Sequence, residues 1–346
     1  MTTTNPQAFT GVTGEFDLLL RQQFDSSVVL GFQKNNYLFS DVMGIAKIKS
    51  TNGGKDFRFM RQNLEDESLV QAFRAGSTIN GIPFGFADGT ITVNDRPDAV
   101  AYEMGKEHMR LADFDYISGK AEQLAFKIQR QYHLRALHRW VAAARSSAST
   151  RTVDGRSVTF HNGGQRVSVS GGLTARYPIN ATGAQNIRAD LENLAQLFDE
   201  DDIPREGAYV LMGPRELRVA LQDDKIFDGD VQRNPQNSIN ERIVGQIAGF
   251  KIIQVNDMPR SNYVDPVSRY SLDCSASAST GQPAFIAVRG AAVSDKNPIG
   301  VAVAAGISGI TTPMDEKTNT MMLKAEMHYG IDVMHPEVAG VVDITP

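Results

Sequence analysis

From Met321 to Val333 the chain alternates without a break. Met321, Leu323, Ala325, Met327, Tyr329, Ile331 and Val333 are apolar, and every even position except Met322 is polar or glycine. A period of two over this length predicts a long strand with one buried and one wet face, about 43 Å at ~3.3 Å per residue. His335-Pro336 follows, and proline ends the strand. A different period governs Asp115 to Arg145. There Ile117, Ala121, Leu124 and Ile128 recur at helical spacing, and Leu134, Leu137 and Val141 continue it. This predicts one long, one-sided helix of ~45 Å at ~1.5 Å per residue.

Shorter patterns fill the rest. Residues 1–14 are polar and read as a flexible arm. Phe16, Leu19, Leu20, Phe24, Val28 and Phe32 suggest a helix, weakened by Ser26, Ser27, Val28 and Val29. Lys55 to Arg61 and Thr90 to Asn94 read as strands. Between them, Gly76 to Gly89 is glycine-rich yet carries Ile79, Ile82, Phe84 and Phe86, which predicts a projecting hairpin covered by another subunit. Residues 146–183, rich in Ser, Thr and Gly, read as a linker or small hairpin insertion. Ile187, Leu191, Leu194 and Leu197 predict a helix that ends at the solvated acids Asp199 to Asp202. Tyr209 to Met212 is a short buried strand, and Gly213-Pro214 starts a helix reaching Gln222. Ile243 to Val255 reads as a strand pair turning at Gly249, and Phe285 to Val288 and Ile299 to Ala304 add strands.

Composition narrows the function. The chain has 346 residues, 41% hydrophobic and 22% charged, as expected of a folded protein with a sizeable core. Its net charge of −5 argues against a surface that grips nucleic acid as a whole. The N-terminal residues lack the basic start and apolar core of a signal peptide, and no apolar run reaches the ~18 residues of a membrane span. The single Cys274 excludes an internal disulfide, and its Ser/Ala-rich loop offers no neighbouring base, so the thiol is expected to be dispensable.

Glu326, His328, His335 and Glu337 have the side chains a catalytic zinc or iron would use. The alternation makes Glu326 and His328 neighbours on the wet face of a strand instead, so no metal and no cofactor is expected. Lys120, Lys127, Arg130, Arg135, Arg139 and Arg145 make the long helix basic. Such a face is expected to be solvated or to pair with a neighbour's acids rather than with phosphate. Asn52-Gly-Gly-Lys55-Asp is not a nucleotide loop, because Asp56 replaces the hydroxyl residue and Lys49 the first glycine. No hydrolase elbow, HExxH or paired-cysteine motif is present, and the sequence makes no case for catalysis.

Three stretches in order carry a family resemblance. Ile91-Thr-Val-Asn-Asp95 leads through Asp113-Phe-Asp-Tyr116 into the long helix. Gly245-Gln-Ile-Ala-Gly-Phe-Lys-Ile-Ile-Gln-Val255 precedes Asp257-Met-Pro259. Gly330-Ile-Asp-Val-Met-His-Pro-Glu-Val-Ala-Gly-Val-Val342 closes the chain, with His335 where the family usually has Arg. Over roughly residues 15–346 the sequence resembles the major capsid proteins of tailed bacteriophages, those of short-tailed phages most closely.

The resemblance implies an α+β chain with the HK-97-like capsid fold. It implies an N-terminal arm (1–50), an E-loop hairpin (51–104), a P-domain spine helix with a Gly/Ser-rich insertion (105–183), an A-domain (184–280) and closing P-domain strands (281–346). It implies hexamers and pentamers in an icosahedral shell around double-stranded DNA, a separate scaffolding protein, a portal protein, assembly in the host cytoplasm and no membrane partner. Ile82, Phe84, Phe86, Arg58, Asp315, Glu316 and Lys317 are the expected contacts between subunits. The hairpin tip, 76–94, lacks the lysine that an isopeptide cross-link would use, which implies non-covalent locking. The alternatives are an encapsulin-like compartment shell and, in a different class, a metal-dependent enzyme using Glu326, His328 and His335.

Overall fold

The structure, a computed structural model, describes residues 22–33, 38–39, 45–51, 54–62, 86–105, 114–153, 156–161, 163–205, 207–222, 243–289, 297–311 and 320–346. The alternating segment is strand β15 (Thr320–Val333). It pairs antiparallel with β14 (Ile299–Thr311) and β4 (Asp98–Gly105), and β14 pairs in parallel with β1 (Ala46–Ser50). The resulting order is β1-β14-β15-β4. Leu323, Ala325, Met327, Tyr329 and Ile331 are buried on one face. The other face is only half exposed, because the hairpin described below covers its C-terminal part. β14 runs past the expected Ala304 because Ala305, Gly306, Ser308 and Gly309 hide its alternation.

The spine helix α2 (Phe114–Ala144) packs its apolar side on this sheet, within a residue of its expected bounds. Its first half is one-sided, with Ile117, Ala121, Leu124 and Ile128 buried and Lys127 exposed. Its second half departs from that expectation. Tyr132, His133, Arg135, Leu137, His138, Trp140 and Val141 are all buried, because the helix runs between the two main sheets and shares a core with Tyr209, Leu211, Ile253, Tyr270 and Ile286. The helical stretch 22–33 (α1) buries Phe24, Val28 and Phe32 at steps of four and crosses α2 beside Glu122 and Ala125. Residues 22–33 and 45–50 of the expected arm segment therefore belong to the chain's own core and sheet.

The second sheet has the order β7-β16-β13-β8-β10-β9. Its strands are β7 (Gln165–Ser170), β8 (Ala208–Met212), β9 (Ile243–Ile247), β10 (Phe250–Gln254), β13 (Gln282–Arg289) and β16 (Ala339–Thr345). It draws strands from three of the expected segments. Ala208, Val210 and Met212 of β8 face one core and Tyr209 and Leu211 the other, which explains its unbroken apolar run. Helix α4 (Ala181–Glu200) covers the outer face with Ile187, Leu191, Leu194 and Phe198. It starts at Asn180, whose Oδ1 accepts from Gly183 N at 3.0 Å. Its terminal acids Asp199 to Asp202 are exposed, and Asp199 pairs with Arg205 at 2.9 Å.

The short helix α3 (Leu173–Arg176) precedes α4, and α5 (Pro214–Ala220) follows β8 with proline in its first turn. β9 and β10 join through Ala248 (φ 51°) and Gly249 (φ 89°), the positive pair of a two-residue hairpin turn. Between β10 and β13, the two-residue strands β11 (Asn262–Tyr263) and β12 (Leu272–Asp273) pair with each other. Residues 146–183 hold more than a linker. β5 (Ser149–Val153) and β6 (Arg156–His161) form the expected hairpin, but β7 enters the six-stranded sheet beside β16 in parallel. No helix among the described residues is long and apolar enough to cross a membrane.

Candidate assembly surface and its ionic supports

The expected projecting hairpin is a two-stranded ribbon of β2 (Asp56–Gln62) and β3 (Phe86–Thr92), paired from Asp56↔Thr92 to Gln62↔Phe86. Its root is a small core of its own, in which Phe57, Ile91 and Val93 pack on Ala302 and Met334. The approach is close enough to require glycine at position 330, and within the ribbon Gly89 makes room for the Phe59 ring paired opposite it. A Cβ on Gly330 would stand 2.1 Å from the Thr92 carbonyl oxygen, and one on Gly89 2.2 Å from Phe59 Cζ. Val93 N donates to Lys55 O at 2.8 Å, and Asn94 N donates to Tyr329 O at 3.0 Å. His328 Nε2 donates to Asn94 O at 2.6 Å. Lys49 lies over the Phe57 ring, 4.9 Å from its centroid. The ribbon is thus fixed at its base to β14 and β15. Beyond the root, Ala99, Ala101 and Glu103 of β4 are exposed or partly so, and Ile310, Lys324 and Glu326 are partly uncovered.

Beneath this surface the spine is held by buried ion pairs. Arg135, its side chain 3% exposed, binds Asp265 through Nε at 2.8 Å and Nη2 at 3.1 Å, and its Nη1 reaches Asp98 and the Tyr329 hydroxyl. Asp265 also accepts from Gln131, from the Tyr263 hydroxyl and from Val267 N. Burial alone would raise the Asp265 carboxyl, but Arg135 and these other donors hold it below the usual range. Burial likewise opposes charge on Arg135, and the surrounding oxygens of Tyr329, Asp265 and Asp98 reverse the shift upward. At the end of the spine Arg145 forks onto the fully buried Asp343 of β16 at 2.9 and 2.7 Å, with Arg166 of β7 on the same carboxylate at 2.8 Å. Arg145 Nη2 also donates to Gly281 O at 2.9 Å. Arg139 joins Asp332 and the Arg269 carbonyl. These forks bind segments ~130 and ~200 residues away in sequence to one helix.

The residues singled out in the sequence fall in three groups. Ile82, Phe84, Asp315, Glu316 and Lys317 lie outside the described residues, and only the backbone of Phe86 is described, in β3. Arg58 is exposed on β2. The metal-like set is dispersed: Glu326 pairs with Lys324, His328 with a backbone carbonyl, and His335 Nδ1 with Glu337 Oε1 at 3.3 Å. Among the described residues no group of three His, Cys, Asp or Glu side chains is placed to hold a metal ion.

Two expectations are corrected. Arg130, Arg135, Arg139 and Arg145 of the basic helix pair with acids of their own chain rather than a neighbour's, while Lys127 is solvated as expected. Cys274 lies in the expected loop, but the loop is not merely polar surface. The cysteine is buried against the spine, Arg145 Nη1 lies 3.9 Å from its sulfur, and burial pushes the thiol up to about 11. Asp265, Asp98 and Asp343 were not singled out, because nothing local separates them from surface acids.

No family model matches the chain, and no curated protein does. Solved structures do. The capsid of cyanophage P-SCSP1u is similar with a TM-score of 0.67 at 16% identity, covering 88% of this chain and 87% of that one. The mature capsid of bacteriophage PhiM1 is similar at 0.65 and 15% identity, covering 87% and 86%. The capsid of Ralstonia phage GP4 follows at 0.53 and 11% identity, covering 86% of each. Spine helix, root-mounted hairpin and two sheets therefore make up the HK-97-like fold of phage capsid subunits.

Proposed function

We propose that the chain is the major capsid protein of a tailed bacteriophage, a shell subunit without catalytic activity. The observation that carries this is the near-complete correspondence with the P-SCSP1u and PhiM1 capsid chains, in which neither partner keeps a large part unmatched. The hairpin supports it. A two-stranded ribbon is marginal alone, and here its described root is held by a small core on β14 and β15. The E-loop, expected over residues 51–104, reaches a neighbour through Ile82, Phe84, Phe86 and Arg58, its last strand β4 belonging instead to the four-stranded sheet, and Asp315, Glu316 and Lys317 meet it there. The partly uncovered outer face around Ala99, Ala101 and Ile310 is the surface it lies on. Of residues 1–50, those before α1 supply the arm, while α1 and β1 join 105–183 and 281–346 in the P-domain, and 184–280 form most of the A-domain, completed by β7, β13 and β16. Hexamers and pentamers close the shell in the host cytoplasm on a separate scaffold and around a portal, and the shell holds double-stranded DNA without sequence-specific grip.

Electron microscopy of the purified chain co-expressed with its neighbouring phage genes tests this. Closed shells containing nuclease-protected DNA are expected. A stable monomer of 37.8 kDa in those preparations overturns it. Closed shells that enclose folded protein cargo and no DNA would select the compartment alternative instead.

A further inference from the structure

The four-stranded sheet ends in two edges of different character. Strand β1 is short, and it exposes Lys47 and Lys49. Lysine on an edge keeps other strands away, because a second backbone cannot approach without stripping water from the charge. Strand β4 has no such guard. It runs Asp-Ala-Val-Ala-Tyr-Glu-Met-Gly from Asp98 to Gly105, with neither lysine nor proline, in unbroken register with β15. In an antiparallel ladder, alternate residues turn both backbone groups to the same side. Those of β4 that turn away from β15 meet no backbone partner among the described residues.

The side chains of this edge are also incomplete. Val100, Tyr102 and Met104 share the face that packs on α2. Met104 is buried and Val100 half-buried, but Tyr102 is 37% exposed. Lys120 of α2 lies over its ring, Nζ 5.2 Å from the centroid. On the other face Ala99, Ala101 and Glu103 are exposed, and the two alanines leave the backbone open to approach.

We propose that two copies of this chain pair through β4, antiparallel and edge to edge, about a twofold axis at Ala101. The second copy rests on the shell function proposed above. An isologous contact must be self-complementary, and at this register the strand is. Val100 of each copy lies opposite Tyr102 of the other, an aliphatic–aromatic pair formed twice that covers the exposed ring. Ala99 lies opposite Glu103, so no like charges meet. An axis at Tyr102 would instead bring together the two Lys120 cations that lie over the rings. The order β1-β14-β15-β4 then continues into the same order reversed, one sheet across two copies. The pairing uses the backbone edge and leaves the outer face of Ala99, Ala101 and Ile310 to the hairpin. So short a ladder falls below the ~800 Å² per partner of a stable interface. It is weak in a free pair and effective where other contacts already hold the copies in place.

Cysteine placed on the axis reads the register in the full chain. Ala101→Cys sets two thiols directly opposite each other, Cβ atoms ~4.5–5.5 Å apart, close enough for a disulfide after slight adjustment. Ala99→Cys, equally exposed on the same face, sets them ~13 Å apart along the ladder. Assembled particles under a mild oxidant should give at least about tenfold more disulfide-linked dimer from Ala101→Cys than from Ala99→Cys on a non-reducing gel. Cys274 is buried and should give the wild-type particles no such band. Shells that form yet yield no dimer from Ala101→Cys, or as much from Ala99→Cys, overturn the pairing and leave the shell function standing. If no shell forms, the shell function fails, and the same comparison on the concentrated free chain decides the pairing by itself.

Discussion

Replacing Asp265 with asparagine tests the ionic support of the spine. The substitution keeps the shape and removes the charge. Arg135 loses the anionic partner of two hydrogen bonds, and the amide nitrogen replaces one accepting oxygen, leaving unmet either Arg135 Nη2 and Val267 N, which bind Oδ1, or Arg135 Nε, Gln131 and Tyr263, which bind Oδ2. Asp98 reaches only Nη1 of the guanidinium. Breaking a buried pair from one side costs about 3–5 kcal/mol, a large share of the ~5–15 kcal/mol that holds a typical domain. The chain's single tryptophan, Trp140, is fully buried further along the same helix, its ring 6.0 Å from Phe39. Its fluorescence in urea at neutral pH therefore reads the affected region. Asp265→Asn should lower the unfolding free energy by at least about 3 kcal/mol. Arg135→Met with Asp265→Leu should recover part of it, since the fully buried carboxylate is gone and only Asp98, whose side chain is 21% exposed, loses its Arg135 partner. Because the folded carboxyl sits below its usual range, its contribution is full above pH ~4 and disappears as acid protonates it. A loss under about 1 kcal/mol, or a double variant that is simply additive, would refute the claim that this pair braces the helix.

Gly330→Ala drives a methyl into the Thr92 carbonyl, and thermal unfolding should show a loss of about 1–3 kcal/mol; an unchanged midpoint would mean the root is looser than described. Cys274, buried with its thiol raised to about 11, should resist alkylation at mildly alkaline pH until the chain unfolds; labelling of native protein within minutes would contradict its burial. Mature particles boiled in detergent should run as one band near 37.8 kDa, because residues 76–94 contain no lysine to cross-link; a ladder that survives reductant would point to another nucleophile.

Elements governed by local periodicity were legible. β15 and α2 lie within one or two residues of their patterns, and the turn at Ala248-Gly249 sits where glycine required it. What escaped was set by distant chain. Arg135 falls on the wheel angle of Ile117, inside the apolar stripe, but the helix does not reveal the acid that burial demands, which comes from a segment ~130 residues later, whereas Lys127 is off the stripe and in solvent. β7 carries serine and arginine at alternate positions and reads as insertion until β16 arrives beside it. The even face of β15 is polar in sequence but half covered, because the hairpin returns across Gly330. The histidines that mimic a metal site mark that crossing.

The place of β16 has a consequence in time. It lies between β7 and β13, in the interior of the sheet, yet it is made after every strand it joins. At ordinary rates of synthesis a ribosome takes roughly ten to forty seconds to travel from Gln165 to Thr345. Through that interval β7 has no partner, and Arg166 and Arg145 wait for the carboxylate of Asp343. A nascent chain therefore cannot finish this sheet on the ribosome before its final strand has left the exit tunnel. If subunits associate through surfaces that this sheet supports, the late strand delays association until β16 has emerged, and neighbouring nascent chains on one message are kept apart by the order of translation itself.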